Sequence, residues 1–440
     1  SNPPAGKLLL SCRSHYFRTV LEQNNMLLGE QRENLRGSDY QACILLPFNE
    51  EQIEQYLARN LGEDRVAPIK AMIREVHNLS EMAERPYTLT LIVENIEDLE
   101  RRAAAGETIH SIHLYQSMIE RWLQRDQGKH QFNPEHKKQL MAALAAVMWR
   151  NKARTWSYRQ LEEWLDGYLF ATPVLASVYQ GYDREVLKED LRTATFVVRP
   201  DEQRFRFAHT SLQEYFLADF LHRALLQGRL EDWVLPLPSR ETLDFLGQMI
   251  ASGDQAACRE GLRRMRGSYV AERSELAFRY CLLAREKGYP GIELAGFDLS
   301  GADLTGLRLA GQPDRPLDLC GMRFVGARLN QAVFRYARLD GCDFSQTSLL
   351  QARFLDLEAD EMSLAGADIR GAVFRRAHLN RLDVRDGNIY HSQWLDCDLM
   401  DCQWPEQGGE VWLGMNRGTQ ALPAAHIPDH ADAARIALLT

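Results

Sequence analysis

GIELAGFDLSGADLTGLRLAG (Gly291–Gly311) decides the fold of the C-terminal part of this chain, because an apolar residue returns at every fifth position. Stepping by five from Leu294 lands on Leu299, Leu304, Leu309, Asp314 and Leu319, and continues through Phe324, Phe344, Leu364 and Val384 to Trp404. Asp314 is the one polar residue met on that walk. Two residues before each step stands a second position that is mostly small, as at Ala327, Ala332, Ala352, Ala367 and Ala372. The remaining positions are largely polar or glycine. A period of five fits neither a helix nor a flat strand. It requires a coil that turns a corner after each unit, so that stacked coils bury a shared axis. The segment QPDRP (Gln312–Pro316) interrupts the pattern without losing its frame, so we read it as a local bulge or loop.

From about Gly291 to Trp404 this pattern closely resembles the pentapeptide-repeat family. The resemblance implies a right-handed quadrilateral β-helix with four units, about twenty residues, per coil. Residues twenty apart then stack on one face. Phe334, Phe354, Phe374 and Trp394 are expected to form an aromatic ladder, with Phe324 and Phe344 stacked on the opposite face. With coils about 4.8 Å apart, nearly six coils would make a rod of ~30 Å. We read the ladder as core, and Cys342, Cys397 and Cys402 as buried thiols rather than metal ligands.

The bulk numbers bound the rest. A chain of 440 residues has room for roughly two to four domains. Its 45% hydrophobic and 26% charged residues are those of a soluble globular protein. A net charge of −9 argues against a generic nucleic-acid or anionic-membrane binder. The apolar run MAALAAVMW (Met141–Trp149) is half of what a bilayer span needs, and no segment reads as a signal peptide. Eight cysteines without a CxxC pair suggest neither a zinc site nor a secreted disulfide framework, so a reducing cytoplasm is the expected location. The chain begins at Ser1, and GKLLLSCRS already reads as an interior strand; the expectation is a part of a longer protein.

The first half is helical. AMIREVHNLSEMA (Ala71–Ala83), TIHSIHLYQSMIERWLQRD (Thr108–Asp126), PEHKKQLMAALAAVMWRNK (Pro134–Lys152) and SYRQLEEWLDGYL (Ser157–Leu169) each carry an apolar stripe at spacing three and four. Asn133-Pro134 is a cap followed by proline at the first helical position, and Thr155 or Ser157 caps the helix containing LEEW. RTATFVVRPDEQRFRFAH (Arg192–His209) reads as a hairpin with a Pro-Asp-Glu turn. Small helices followed by a hairpin are the sequence pattern of a winged helix. Residues 223–290 read as a helical connector packing on the solenoid's first coil, and composition leaves the order of the tail after Trp404 open.

FRFAHTSLQEYFLADFL (Phe205–Leu221) resembles the end of the winged-helix domain of NACHT proteins, which belong to the signal-transduction class of P-loop NTPases. KLLLSCRSHYF (Lys7–Phe17) looks like that family's sensor strand, and RPYTLTLIV (Arg85–Val93) like the segment whose proline packs near the adenine. The three matches follow the family's order and cover about Lys7 to Leu221. The resemblance implies that Arg13 is the sensor arginine near the terminal phosphate, Pro86 the adenine-side proline, and His209 a contact to the β-phosphate of ADP. Arginine offers a permanent charge and a fork of donors, proline a rigid apolar edge, and histidine a donor that can release its phosphate. Plainer roles exist for each: a surface ion pair for Arg13, a helix start for Pro86, a local cap for His209. The sequence departs from the family in a large way. It has no GxxxxGK[ST] loop, since PPAGK (Pro3–Lys7) lacks the glycine cradle and the Ser or Thr for Mg²⁺, and it has no acidic Walker B strand. Both would lie N-terminal to Ser1 in a complete member. This chain therefore has no complete active site, and ADP or ATP with Mg²⁺ would belong to a full-length parent NTPase.

The expected organisation is a remnant of the nucleotide-binding α/β domain (1–45), a helical domain (46–105), a winged helix (106–222), the connector (223–290), the pentapeptide-repeat β-helix (291–404) and a tail (405–440). Three functions compete. One is the regulatory and sensor portion of a bacterial ATP/ADP switch in antiviral defence or stress response. In it the solenoid recognises a protein or phage-derived ligand, and activation brings self-oligomerisation. The second follows from pentapeptide-repeat proteins that mimic DNA and bind type II topoisomerases; it needs an acidic face, whereas acids such as Asp298, Asp343 and Asp396 are interleaved here with many arginines. The third is a scaffold with no nucleotide role. No GxSxG, HExxH or convincing carboxylate pair supports another hydrolytic activity. His110 and His113, lacking a third ligand, read as a solvated or interface pair.

Overall fold

The structure, a computed structural model, describes residues 47–75, 83–84, 86, 89–90, 92–96, 111–126, 128, 130–194, 196–199, 204–406, 411–414 and 416–417. The chain divides into two compact units: residues 1–223 with 238–253, and residues 224–237 with 254–440.

In the first unit, helix starts follow local chemistry. Helix α1 (Glu50–Leu61) opens with a capping box, in which the Gln52 amide donates to Asn49 Oδ1 at 2.9 Å and the Asn49 amide donates to Gln52 Oε1 at 3.0 Å. Gly62 ends it and α2 (Glu63–Glu75) follows. Helix α3 (Ser111–Asp126) buries Tyr115, Met118, Ile119 and Trp122, the expected stripe. Helix α4 (Pro134–Arg150) is capped by Asn133, which accepts the His136 amide at 2.7 Å, with Pro134 in first place as expected. Such a cap contributes about 1 kcal/mol.

After α4 come β1 (Trp156–Ser157), α5 (Tyr158–Ala171), α6 (Pro173–Tyr179), α7 (Arg184–Arg192), β2 (Val197–Val198), β3 (Arg204–Phe207) and α8 (Thr210–Leu226). Of the two candidate caps for α5, Ser157 is the one used, in a capping box with Gln160. The two strands of the expected hairpin pair: β2 and β3 run antiparallel with Val197 opposite Phe207, and the Pro-Asp-Glu turn lies outside the described residues. Strand β1 joins on the other side, Trp156 opposite Phe205, so the sheet order is β1-β3-β2. Strand β3 buries Phe205 and Phe207 and exposes Arg204 and Arg206. Phe196, Phe207, Phe216 and Trp122 pack together above it, with ring centroids 5.1–6.0 Å apart. Helix α9 (Arg240–Ser252) completes this core: Phe245 meets Tyr115 at 4.9 Å, and Gln248 accepts the Ile112 amide at 2.9 Å.

The second unit begins in the last turn of α8 and holds α10 (Gln255–Arg266) and α11 (Ala271–Lys287). An open solenoid end would present its apolar axis to water. Helix α11 covers it, with Phe278 against Phe297 at 5.7 Å and the Tyr280 hydroxyl donating to the Pro290 carbonyl at 2.6 Å. Within this helical stretch, residues 238–253 belong to the first unit, while 224–237 and 254–290 belong to the unit that holds the solenoid.

The solenoid strands are β4 (Arg308–Ala310), β5 (Leu317–Asp318), β6 (Val333–Arg335), β7 (Ala337–Arg338), β8 (Arg353–Asp360), β9 (Val373–Asn380), β10 (Gln393–Leu395), β11 (Asp398–Met400) and β12 (Trp412–Gly414), paired in parallel. The register joins Phe334, Phe354, Phe374 and Trp394 at the expected spacing of twenty. Their rings stack at 5.0, 4.6 and 3.9 Å, tilted by no more than 5°. Phe324 and Phe344 stack at 4.7 Å across the axis. One spacing differs. Leu309 pairs with Phe334, twenty-five positions on, because Gln312 and Arg315 exchange backbone hydrogen bonds at 3.1 Å in a small hairpin that takes up one unit. Asp314 lies exposed in that hairpin, which explains its polarity, and the rod makes about five turns rather than nearly six. Gly311 enters the hairpin where a Cβ would stand 2.4 Å from both the Leu317 nitrogen and the Tyr336 oxygen.

Corner geometry is as regular as the core. From Leu294 to Leu399, except at the hairpin steps Leu309 and Asp314, each unit places its residue two after the inward step at positive φ, as glycine at Gly326 (65°) or as Gln351 (57°), Asp386 (58°) and His391 (57°).

Two substitutions test this packing. Phe374→Ala opens the middle of the ladder and is expected to cost ~3–5 kcal/mol in denaturant unfolding; a loss below about 1 kcal/mol would mean the stack is incidental. Gly311→Ala forces backbone apart and is expected to destabilise by ~1–3 kcal/mol, whereas an unchanged unfolding midpoint would place the hairpin differently.

Candidate functional site

The resemblance assigned three residues to a nucleotide site, and they have separate fates in the structure. Arg13 lies outside the described residues. Pro86 is exposed, and its carbonyl accepts a hydrogen bond from Thr90 Oγ1 at 3.0 Å, which in turn lies 2.7 Å from the Tyr56 hydroxyl. His209 is 5% exposed and sits where β3 gives way to α8.

The His209 junction is tightly built. The Ala208 amide extends the hairpin by donating to the Phe196 carbonyl at 2.7 Å, and the chain then turns into the helix. His209 occupies the N-cap position. Its Nδ1 accepts the Ser211 amide at 3.1 Å and lies 2.7 Å from Ser211 Oγ, while its carbonyl takes the Leu212 amide at 3.2 Å. An imidazole here does the work that Ser or Asp usually does. Because Nδ1 accepts from an amide, the neutral ring carries its proton on Nε2. Below it α8 is polar for a buried helix: Glu214 accepts from Ser239 Oγ at 2.9 Å, and Asp219 pairs with Arg223 at 2.8 Å.

One turn beyond Asp219, burial pushes the His222 imidazole below its usual range, against the raising influence of the Asp219 carboxylate. His113 is half-buried on α3, while His110 lies outside the described residues. No group of three or more His, Cys, Asp or Glu among the described residues could hold a metal ion. No helix among them is long and apolar enough to cross a membrane.

In the solenoid Cys342 and Cys397 are buried thiols as expected, whereas Cys402 is only half-buried. Burial pushes Cys342 up to about 12 and Cys397 to about 11, and Cys342 Sγ donates to the Leu319 carbonyl at 3.0 Å. Outside the core, charges pair along and across coils. Arg323 lies between Asp298 (3.7 Å) and Asp343 (4.0 Å), and Arg328 lies 3.4 Å from Asp303. Asp356 is held by Arg376 at 2.5 Å and Arg335 at 3.4 Å, which keeps its carboxyl below the usual carboxylate range. Arg381, Arg385 and Arg370 pair with Asp360, Asp383 and Asp368 at 2.6–2.8 Å. Exposed pairs of this kind contribute little to stability. They offset part of the acidic field that DNA mimicry would need.

Residues 318–349 match the family model described as pentapeptide repeats, in eight copies. The C-terminal domain is a pentapeptide-repeat β-solenoid. The pentapeptide-repeat domain is similar to several solved structures, each with low overall superposition on this longer chain. The repeat protein Rfr23 of the cyanobacterium Cyanothece is 17% identical, with 24% of this chain and 90% of that one covered and a TM-score of 0.19. HetL of Nostoc, involved in regulating heterocyst differentiation, is 23% identical over 25% of this chain and 50% of its own, at TM-score 0.19. QnrB1, a plasmid-mediated fluoroquinolone resistance protein, is 15% identical over 34% and 95%, at TM-score 0.16. No curated protein sequence matches the chain.

His222 gives a pH test. Its folded pKa is depressed, so the unfolded chain binds its proton first and the fold loses stability as pH falls below the ordinary imidazole value of 6.5. Between pH 7 and pH 5 wild type should therefore lose more stability than His222→Gln, measured by urea unfolding at each pH. Parallel losses in the two proteins would show that the imidazole does not titrate differently on folding.

Proposed function

We propose that this chain is the regulatory and sensor portion of a NACHT-type protein switched by ATP and ADP, with the pentapeptide solenoid as its recognition module. The observation that carries the reading is the junction at His209. A helix, a strand, further helices and a strand pair in the sheet order β1-β3-β2 run directly into α8, an order that supports a winged-helix reading. That junction bears the sequence FAHTSLQEYF, in which the resemblance places the phosphate contact.

The residues present fit that role. A neutral His209, held by the Ser211 amide at Nδ1, keeps its N–H on Nε2 as a donor suited to a phosphate oxygen. When bound, ADP would supply the negative charge that such a donor satisfies. Pro86 would present an apolar edge to the base, and Arg13 a fork of donors to the terminal phosphate. The P-loop, the Walker B acid and Mg²⁺ would come from sequence preceding Ser1. Loss of the His209 contact on exchange to ATP would free the winged helix to rotate and the protein to self-associate. A bacterial cytoplasm and a protein or phage-derived ligand are the setting this reading implies.

A second reading, a protein-binding scaffold without nucleotide, is favoured by the structural duty of His209 as a helix cap. One comparison separates the two. In the chain carrying its upstream coding region, His209→Asn keeps a capping side chain and removes the imidazole. The switch reading expects bound ADP to dissociate at least tenfold faster with the helical unit intact by circular dichroism. Unchanged ADP retention, or an upstream region without a P-loop, would leave the scaffold.

A further inference from the structure

The charges of the solenoid are not spread evenly over its four faces. Along the face above the aromatic ladder, the register stacks Arg308, Val333, Arg353 and Val373 in one outward column. In the column beside it stand Ala310, Arg335, Leu355, Arg375 and Leu395. Arginine and an aliphatic residue therefore alternate along both columns, out of step with each other, in a checkerboard. Neither column contains an acid from Arg308 to Gly414.

The arginines of this face also differ in their partners. On the other faces several arginines are matched by carboxylates, as Arg328, Arg370 and Arg385 are. On this face only Arg335 is, through Asp356 at the corner. Arg308, Arg353 and Arg375 meet no carboxylate among the described residues, and Nε of Arg375 is shielded from solvent without an acceptor there. Half-buried Val333, Leu355, Val373 and Leu395 fill the squares between them. The next face round the rod has an acidic excess, with Asp318, Asp340, Glu358, Asp360 and Asp398 among its outward residues beside Arg338 and His378.

We propose that this checkerboard face docks an acidic amphipathic helix of a partner protein, a proposal that rests on reading the solenoid as the recognition module. Charge complementarity selects an acidic partner, since unpaired guanidiniums bind carboxylates by paired hydrogen bonds. The aliphatic squares select a protein over a nucleic acid: phosphates would bury Val333 and Leu355 against nothing apolar, and the acidic neighbouring face repels a wide phosphodiester backbone. The spacing selects a helix. Coils rise by about 4.8 Å, close to the ~5.4 Å pitch of an α-helix, so each turn of a helix laid along the rod meets one coil. The two columns, two residues apart on a strand, are separated by roughly 7 Å, which a helix ~10 Å across can straddle. Glutamates flanking a leucine stripe would then reach the arginines while the leucines fill the aliphatic squares.

The test uses the full chain at about 0.15 M salt, where screening within ~8 Å confines charge effects to the face itself. Three labelled probes are compared by fluorescence anisotropy: a helical peptide of about sixteen residues, long enough for the face, with one leucine stripe flanked by glutamates; its scrambled version; and a short DNA duplex. The expected result is binding of the helical peptide that falls at least tenfold in R308Q/R353Q/R375Q and less than twofold in R328Q/R370Q/R385Q. Leu355→Glu, a single half-buried position, repeats the test if the first triple variant melts early. No binding to folded wild type overturns the proposal, as does equal binding of the scrambled peptide or equal loss in both triple variants. Tighter binding of the duplex through the same arginines would replace the partner with a nucleic acid. Because ADP retention is read on the His209 variant alone, failure of the nucleotide switch and failure of this surface remain distinguishable.

Discussion

Outside the hairpin at Gln312–Arg315, the units of the solenoid turn their corners through one residue in the left-handed region. The rest of that domain depends on this. A left-handed corner after each five residues brings the next inward side chain back to the axis, and it sets the carbonyls and amides of one coil opposite those of the next. For residues other than glycine the conformation costs about 1–2 kcal/mol. The later coils accept it repeatedly, at Asp356, Glu361, Arg376 and Arg381. What offsets it is parallel pairing to the coils on both sides and the burial of Phe354, Leu364 and Phe374 at the axis. The corner side chains that replace glycine gain something in exchange, since Arg376 reaches Asp356 and Arg381 reaches Asp360 across coils.

Much of this was legible in the sequence, because a rule that repeats can be checked at each repetition. The ladder from Phe334 to Trp394 follows from spacing alone once four units are assigned to a coil. Asp314 was visible as an exception, but its cause was not. A hairpin that takes up one whole unit leaves the walk by fives undisturbed and shows itself only as a register of twenty-five between coils. The checkerboard face was hidden for a related reason. Counting by fives mixes all four faces, so arginines and acids look interleaved; counting by twenty along the residues flanking the ladder separates them.

The helical unit was legible where the chemistry is local. Asn133 with Pro134, and Ser157 with Gln160, mark helix starts without help from tertiary contacts. The allegiance of α9 was not legible, since an apolar stripe does not say which core will take it. Phe245 and Gln248 are fixed by Tyr115 and Ile112, more than a hundred residues earlier. His209 shows the same limit in the site. Its place between strand and helix could be read from sequence, while the use of Nδ1 as a cap acceptor required geometry. That geometry spends Nδ1 on the helix start and leaves the proton of the neutral ring on Nε2.

The unit-sized hairpin at Gln312–Arg315 has an evolutionary corollary. The rod tolerates extra chain so long as it departs and returns in phase, and Leu317 resumes pairing with Ala337 as if nothing had intervened. Gene duplications that add whole coils therefore lengthen the rod without redesigning its interior, whereas a codon gained or lost within a unit throws every later side chain onto the wrong face. The domain is in this sense a ruler that can be extended only by its own gradations.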